Sequence, residues 1–111
     1  MIKICIADDH DILREGLKEM IEKSSNIKVC GQAGNAKETL KKIQKEDYDV
    51  LLLDISLPDM NGLEVLKQIK INKPDIKVLI LTTHAEEQYA IRALQAGAAG
   101  YLTKRTLAHE V

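Results

Sequence analysis

The chain has 111 residues, of which 45% are hydrophobic and 30% charged, and its formal net charge is −1 at pH 7. This length suits a single domain with a hydrophobic core. The near-zero charge argues against a nucleic-acid-binding surface in this chain, because phosphate-binding surfaces carry a basic excess. No apolar run approaches the roughly 20 residues needed to span a bilayer, and residues 1–4 lack the layout of a signal peptide. We therefore expect a cytoplasmic protein without membrane contact.

Strand-like and helix-like segments alternate along the chain. Runs of β-branched and apolar residues predict five strands, at residues 2–7, 27–33, 50–53, 76–81 and 98–103. Amphipathic spacing predicts helices at about 11–23, from 35, at 62–71 and at 86–96, and a fifth helix begins at 106 with six residues left. This alternation predicts an α/β fold, a doubly wound five-stranded parallel sheet with right-handed crossovers and a truncated fifth helix.

Local signals place the ends and the inner faces of the helices. Asp11 is expected to be the N-cap of the first helix, and Asn35 with Glu38 forms a capping-box pattern. Gly97 is expected to end the fourth helix. Leu13, Leu17, Met20 and Ile21 form one apolar stripe of the first helix, and the residues expected to face inward are Leu40 and Ile43 in the second and Leu66 and Ile69 in the third. In the fourth helix, Ala90, Leu94 and Gly97 lie on one line.

The two cysteines, Cys5 and Cys30, both fall within strand-like runs. No His or Cys stands near either of them at metal-ligand spacing. One interpretation is a disulfide or redox pair. The other, which we favour, is two small buried apolar side chains in a reducing compartment.

Polar side chains follow four of the five predicted strands. Asp8 and Asp9 follow the first strand, Asp54 the third, Thr82 and Thr83 the fourth, and Lys104 the fifth. Because parallel strands share their carboxyl ends at one edge of the sheet, these side chains are expected to meet there. No His or Cys is grouped with the three carboxylates, so a cation among them would have hard oxygen ligands, which suits Mg²⁺.

Asp54 is the centre of this predicted site. It ends the apolar run 50–53, which is typical of a strand buried on both faces. Such a carboxylate can act as a nucleophile and become an aspartyl phosphate, while a metal and Lys104 stabilise the transferring group. Taken singly, each residue of the set is as readily a helix cap or a solvated charge. Their joint appearance at the correct strand ends favours the site.

The same residues resemble a known family. Asp8 and Asp9, Asp54 in the segment LLLDISLPDMNG, Thr82 and Lys104 resemble the receiver domain of bacterial two-component response regulators, over essentially the whole chain. The segments DDH, LREGL and AGAAGYLTK resemble the NarL/FixJ-type subgroup, which carries LuxR-like DNA-binding domains. The resemblance implies the flavodoxin-like receiver topology with strand order 2-1-3-4-5.

The resemblance also implies how the acidic residues act. Asp54 would accept a phosphoryl group from the phosphohistidine of a sensor histidine kinase. Asp9 and Asp54 would bind Mg²⁺ directly together with the backbone carbonyl of Ser56, and Asp8 would act mostly through a metal-bound water. Ser56 would in addition tune the lifetime of the phosphate. His10 is expected to start the helix rather than to act as a ligand or phosphodonor.

The resemblance further implies a switch around the phosphate. Lys104 would contact a phosphoryl oxygen, and Thr82, with Thr83 beside it, would be the hydroxyl that moves toward the phosphate. Tyr101 would change its rotamer at the same time. His84 would help to tune the phosphate lifetime, with an exposed loop histidine as the alternative.

Output is expected to lie outside this chain. Residues 1–111 would form the receiver, and a helix-turn-helix effector domain would follow in the full-length protein. Phosphorylation would rearrange the surface of the fourth helix, the fifth strand and the fifth helix, favour a homodimer and control transcription. DNA would be bound only through the effector. The chain would not be an enzyme beyond self-phosphorylation and autodephosphorylation at Asp54.

Two alternatives use the same fold. A haloacid-dehalogenase-like phosphatase also combines an Asp nucleophile, Mg²⁺, a Thr and a Lys, but it needs a second Asp two residues after the nucleophile, where this chain has Ser56. A non-catalytic flavodoxin-like binding module would use the acids only as caps, and fold alone does not distinguish it.

Overall fold

The computed structural model describes residues 1–82 and 87–103, which form five strands and four helices. In chain order these are β1 (Ile2–Ala7), α1 (Asp11–Ile21), β2 (Ile27–Ala33), α2 (Ala36–Lys45), β3 (Val50–Asp54), α3 (Gly62–Asn72), β4 (Lys77–Thr82), α4 (Glu87–Gln95) and β5 (Gly100–Thr103). All strand pairs are parallel, in the order β2-β1-β3-β4-β5. The predicted fold class and strand order are confirmed, and the expected start of a fifth helix at 106–111 lies outside the described residues.

Two hydrophobic cores cover the two faces of the sheet. Side chains alternate along each strand, so neighbours point to opposite faces. In β1, Cys5 and Ala7 belong to the core packed against α2 and α3, whereas Ile4 and Ile6 belong to the core packed against α1. The residues of β3 divide in the same way, which explains why its sequence is an uninterrupted apolar run.

Most of the predicted inner faces are confirmed. Leu17, Leu66 and Ile69 are buried, and the other members of the first stripe, Leu13, Met20 and Ile21, pack partly buried against the core on the α1 side. None of the helices among the described residues is both long and apolar enough to cross a bilayer.

Helix α4 packs through one small side chain. Ala93 is fully buried, whereas Leu94, on the predicted line with Gly97, is 47% exposed. The helix approaches its neighbours through the small side chain of Ala93, one position earlier along the chain. Its end is as predicted: Gly97 has φ of +109°. The Gly97 amide donates to Leu94 O (3.2 Å) and the Ala98 amide to Ala93 O (2.9 Å), a Schellman motif.

The two predicted N-caps have different outcomes. Asn35 caps α2, since its side chain accepts from the Glu38 amide at 2.8 Å, and its Nδ2 donates to the Glu38 carboxylate at 3.2 Å. Asp11 is not the N-cap of α1. That position is His10, whose side chain makes no capping hydrogen bond, and Asp11 is the first helical residue. The Asp11 carboxylate instead accepts from Arg14 Nη2 at 2.7 Å.

The two cysteines are free and differ in exposure. Cys5 is fully buried, and this burial raises the pKa of its thiol to about 12. Cys30 is exposed, so the prediction that both are buried is wrong for this residue. The cause is a register shift: Ile4 pairs with Val29 but Cys5 pairs with Gly31, which leaves Cys30 as the extra residue of a bulge.

Candidate functional site

Asp54 is the last residue of β3, and its side chain is fully buried at the carboxyl edge of the sheet. Its Oδ1 accepts a hydrogen bond from the Ser56 amide at 2.9 Å. This bond fixes the orientation of the carboxylate relative to the loop that follows. The strand brings Asp54 to the edge because it pairs with Leu81 of β4, so that Asp54 stands beside the end of the neighbouring strand.

Asp8 and Asp9 reach the same edge from β1. Ala7 pairs with Leu53, so the residue after β1 lies next to Asp54. Asp8 is fully buried, and its amide donates to Ala33 O at 2.9 Å. The Asp8 carboxylate turns back on its own loop, where Oδ1 accepts from the His10 amide at 2.8 Å. The side chain of Asp9 is 35% exposed.

The three carboxylates form one group, as predicted, and His10 joins them. One ligand atom each from Asp8, Asp9, His10 and Asp54 lies within 4.8 Å of all the others. His10 Nδ1 lies 3.0 Å from Asp8 Oδ1 and 3.2 Å from Asp9 Oδ1. His10 therefore stands at the helix start, as expected, but the prediction that no histidine is grouped with the acids is wrong. Two of these carboxylates are buried, so their mutual repulsion is only weakly screened by solvent.

Arg14 holds the loop that carries Asp8, a role that the sequence did not reveal. Its Nη1 donates to the backbone carbonyl of Asp8 at 2.6 Å, and its Nε donates to Gln32 Oε1 in β2 at 3.1 Å. A third bond from Nη2 reaches Asp11. Because one guanidinium joins α1, β2 and the end of β1, it fixes the backbone from which Asp8 and Asp9 project. From the sequence one can tell that Arg14 lies one turn into α1, but not that its side chain contacts the Asp8 carbonyl.

A second unforeseen contact holds the loop after Asp54. Asp59 accepts from the amides of Ala36 (2.7 Å) and Lys37 (3.1 Å), so it caps α2 from a position 23 residues later in the chain. These backbone bonds, with that of Ala36 first, hold the pKa of Asp59 below its ordinary value of 3.8. The loop closes where the Gly62 amide donates to Ile55 O at 3.0 Å. A Cβ at Gly62 would lie 2.5 Å from Ile55 Cα, so the close approach requires glycine.

The remaining predicted residues have separate outcomes. Thr82 ends β4 and is 6% exposed, next to Thr103, its partner in β5. Tyr101 pairs with Ile80, two positions before the end of β5, and is 37% exposed. Ser56 follows Asp54 and contributes its amide, while the role of its carbonyl stays a prediction. The other three, Thr83, His84 and Lys104, lie outside the described residues.

Comparisons with known proteins show which family the chain belongs to. Residues 4–111 match the family described as the response regulator receiver domain. The response regulator GacA of Pseudomonas syringae is 42% identical over 104 residues, which are 94% of this chain and 49% of that protein. The transcriptional regulatory protein YdfI of Bacillus subtilis is 42% identical over 106 residues, 96% of this chain and 49% of that protein. The chain thus spans about half the length of these relatives.

Solved structures show the same fold. The signal receiver domain of the response regulator NarL from Mycobacterium tuberculosis superposes with a TM-score of 0.87 at 33% identity, covering 93% of this chain and 83% of that one. The LuxR-family response regulator from Aurantimonas has the same TM-score and identity over 92% of this chain and 73% of that one. The chain therefore belongs to the response regulator receiver domain family and is a receiver of the NarL/FixJ type.

Proposed function

We propose that Asp54 is the phosphoacceptor of this receiver and that its phosphorylation is the signal. The observation that carries the proposal is the fully buried Asp54 carboxylate at the end of β3, with ligand atoms of Asp8 and Asp9 within 4.8 Å. Receiver domains are signalling domains that partner with sensor histidine kinases. A phosphohistidine of such a kinase is therefore the phosphoryl donor that we propose here.

The transfer step uses the carboxylate as the nucleophile. An Asp54 oxygen attacks the phosphorus, the O–P bond forms as the N–P bond of the phosphohistidine breaks, and the departing imidazole nitrogen keeps the electron pair. The hydrogen bond from the Ser56 amide to Asp54 Oδ1 holds the nucleophile in one orientation. Arg14 holds the loop of the neighbouring acids through the Asp8 carbonyl. Positioning of this kind lowers the entropic part of the barrier.

Receiver domains bind Mg²⁺ at an acidic pocket, and the residues of this pocket suit it. Carboxylate oxygens within 4.8 Å of one another are the hard ligands that Mg²⁺ prefers. We propose Asp9, Asp54 and the Ser56 carbonyl as direct ligands, with Asp8 acting mostly through water. Bound Mg²⁺ would supply positive charge that offsets the crowded carboxylates and the phosphoryl oxygens.

The response to the phosphate is proposed to pass through the strand ends beside Asp54. Lys104 contacts a phosphoryl oxygen, and the Thr82 hydroxyl moves toward the phosphate with Thr83 beside it. Tyr101, partly exposed on β5, changes its rotamer in the same transition. His84, like Ser56, controls the access of water and thereby the lifetime of the phosphate. Phosphorylation adds up to about two negative charges, which is enough to bias such a two-state element.

We further propose that residues 1–111 act as the receiver of a longer transcription regulator. In it, phosphorylation would pair two receivers through the surface around α4 and β5, and a helix-turn-helix effector domain would bind DNA. The support is the similarity to the transcriptional regulatory protein YdfI, of whose length this chain covers about half. Beyond self-phosphorylation and autodephosphorylation at Asp54, no catalytic activity is proposed.

The test is phosphorylation with acetyl phosphate and Mg²⁺, followed by intact-mass spectrometry. We expect one added phosphoryl group on the wild type, none on Asp54→Asn, and none after chelation of the metal. The matched control is Asp59→Asn, which changes a nearby acid that caps α2 and should keep the adduct. An adduct on Asp54→Asn, or none on the wild type, would contradict the proposal. Steady turnover of p-nitrophenyl phosphate would instead favour a haloacid-dehalogenase-like phosphatase.

A further inference from the structure

A groove of about 450 Å³ lies between α3 and α4, and none of its lining residues belongs to the acidic group. The lining residues are Leu63, Lys67, Arg92, Gln95 and Ala96. Leu63 and Ala96 are partly buried and pack against the hydrophobic core, so they form an apolar floor. Lys67, Arg92 and Gln95 are exposed and supply polar groups from both helices. An apolar surface with a few polar groups is the usual composition of a small-molecule site.

The two charged residues of this groove are both cations. Lys67 comes from α3 and Arg92 from α4, and none of the described lining residues is acidic. Within residues 1–82 and 87–103, neither side chain makes a hydrogen bond or an ion pair, not even Lys67 with Glu64 one turn before it. The chain as a whole has a net charge of −1, so the local positive charge does not follow from a basic composition.

Lys70 shows that the same helix also carries a lysine with a structural role. Its Nζ donates to the backbone carbonyls of Pro74 at 2.8 Å and Ile76 at 2.9 Å. These bonds join the last turn of α3 to the segment that leads into β4. Lys67 lies one turn earlier on α3 and makes no such bond to the described chain. Its charge, like that of Arg92, is therefore free to pair with a ligand.

We propose that the groove between α3 and α4 binds a small organic anion. Its carboxylate or phosphate oxygens lie between Lys67 and Arg92, and its apolar part packs against the floor of the groove. Two cations that line one groove repel each other, and an anion between them removes this repulsion. The guanidinium of Arg92 can pair bidentately with a carboxylate or a phosphate, while Lys67 adds a point charge. The ligand would also join α4 to α3.

The test is a titration of the isotopically labelled chain followed by NMR, in metal-free buffer so that no cation at the acidic group recruits the anion. The probes are succinate, phenyl phosphate and inorganic phosphate. We expect the two organic anions to shift the amide signals of residues 63–67 and 92–96, with a Kd on the order of 1 mM, because exposed ion pairs give modest affinity. Phenyl phosphate should bind more tightly than inorganic phosphate, since its ring covers the apolar floor. The tighter of succinate and phenyl phosphate identifies the preferred oxyanion.

Four variants test the assignment of the two cations. Lys67→Ala and Arg92→Ala should each weaken binding about threefold, which is the effect of losing one exposed ion pair. Lys67→Arg keeps the charge and should keep the affinity. Lys41→Ala is the matched control, because it removes an exposed lysine from α2 and changes the net charge equally. Each variant is expected to fold, since the side chains are exposed and alanine and arginine both favour helices.

The proposal is overturned if neither organic anion shifts these signals, or if Lys67→Ala and Arg92→Ala bind as tightly as the wild type. Equal weakening by Lys41→Ala would show that binding depends on net charge alone, which also overturns it. Equal affinity for inorganic phosphate and phenyl phosphate would do the same, since the groove would then recognise charge without an organic group. The chain is unphosphorylated and metal-free throughout, so these outcomes are independent of the proposed role of Asp54.

Discussion

The two edges of the sheet treat their acidic residues in opposite ways. At the amino edge two acids meet donors: Asp47 Oδ1 lies 2.9 Å from Lys73 Nζ, and Asp49 Oδ2 accepts from the Lys3 amide at 2.8 Å. At the carboxyl edge the buried Asp8 and Asp54 crowd one another. Paired charges favour the folded state, as at the amino edge, whereas crowded like charges oppose folding unless a cation joins them, and this is the difference that the following predictions test.

The amino edge also has a cleft, so a cleft alone does not mark the candidate site. A cleft of about 640 Å³ opens at the amino edge, between the start of β1 and the loops before β3 and β4. Its charged lining residues include the Asp47–Lys73 pair, and its hydroxyl-bearing residue, Tyr48, donates to Glu46 at 2.6 Å. Because these groups already satisfy one another, this cleft lacks the crowded like charges that mark the candidate site.

The first prediction concerns the loop after Asp54 at the carboxyl edge. Close backbone packing holds this loop, whereas the Asp47–Lys73 ion pair lies at the amino edge. Gly62→Ala would push a Cβ to 2.5 Å from Ile55 Cα, a backbone atom that cannot move aside. We expect a loss of about 3 kcal/mol in the free energy of unfolding, as for an overpacked site. Urea denaturation monitored by circular dichroism measures it.

Gly16→Ala is the matched control for that substitution. Gly16 lies inside α1, and a Cβ there would meet no atom within 4 Å. Alanine should therefore stabilise the protein by about 0.5–1 kcal/mol through helix propensity. Similar losses in both variants would mean that the contact with Ile55 does not hold the loop.

The arrangement of the strand ends could be read from the sequence, because it follows from short-range rules. The apolar run of β3 ends at Asp54, and alternation with helices makes the sheet parallel, so the acids meet at one edge. Contacts between distant residues could not be read in this way. The cap from Asp59 to α2 joins residues 23 apart, and no local pattern reports it.

Two other differences between the sequence predictions and the structure also arise from tertiary packing. The exposure of Cys30 depends on a bulge between Val29 and Gly31, which appears only when β2 pairs with β1. The group containing His10 depends on the turn of the Asp8 carboxylate onto the His10 amide. In both places one residue changes its environment through a local backbone bend that composition and periodicity do not encode.

Replacing Asp54, the proposed phosphoacceptor, tests through protein stability whether the crowded carboxylates oppose folding. Asp54→Asn keeps the oxygen that accepts from the Ser56 amide while it removes one buried negative charge from the acidic group. In metal-free buffer we expect a gain of about 1–2 kcal/mol in the free energy of unfolding. Thermal denaturation with a chelator present measures the gain, and Asp8→Asn should show the same sign.

Added Mg²⁺ should make the wild type more stable than Asp54→Asn, which reverses their order of stability in metal-free buffer. A ligand at a hundred times its Kd stabilises the folded state by about 2.7 kcal/mol. Wild type should therefore gain more from Mg²⁺ than Asp54→Asn, which has lost one proposed ligand. Destabilisation of Asp54→Asn in metal-free buffer would show that the crowded carboxylates do not oppose folding.

An Asp-to-Asn substitution at the amino edge, Asp47→Asn, should lower the free energy of unfolding rather than raise it, and its effect should be the smallest of those predicted here. The hydrogen bond from Lys73, and then its charge, lower the pKa of the exposed Asp47 carboxyl from its ordinary value of 3.8. Because the folded-state pKa is the lower one, the stabilisation is present above pH 3.8 and is lost as the pH falls through the folded-state pKa. Asp47→Asn should therefore be slightly less stable than the wild type at pH 7, with the difference fading below about pH 4 and in high salt.

Asp75→Asn is the control that isolates the ion pair, since exposed Asp75 lines the same cleft and makes no hydrogen bond or ion pair with other residues in ranges 1–82 and 87–103. Urea denaturation at pH 7 and pH 3 should show a pH-dependent difference for Asp47→Asn and none for Asp75→Asn. If the two variants shift equally, the loss reflects net charge alone, and the amino edge would then owe its stability to packing rather than to paired charges.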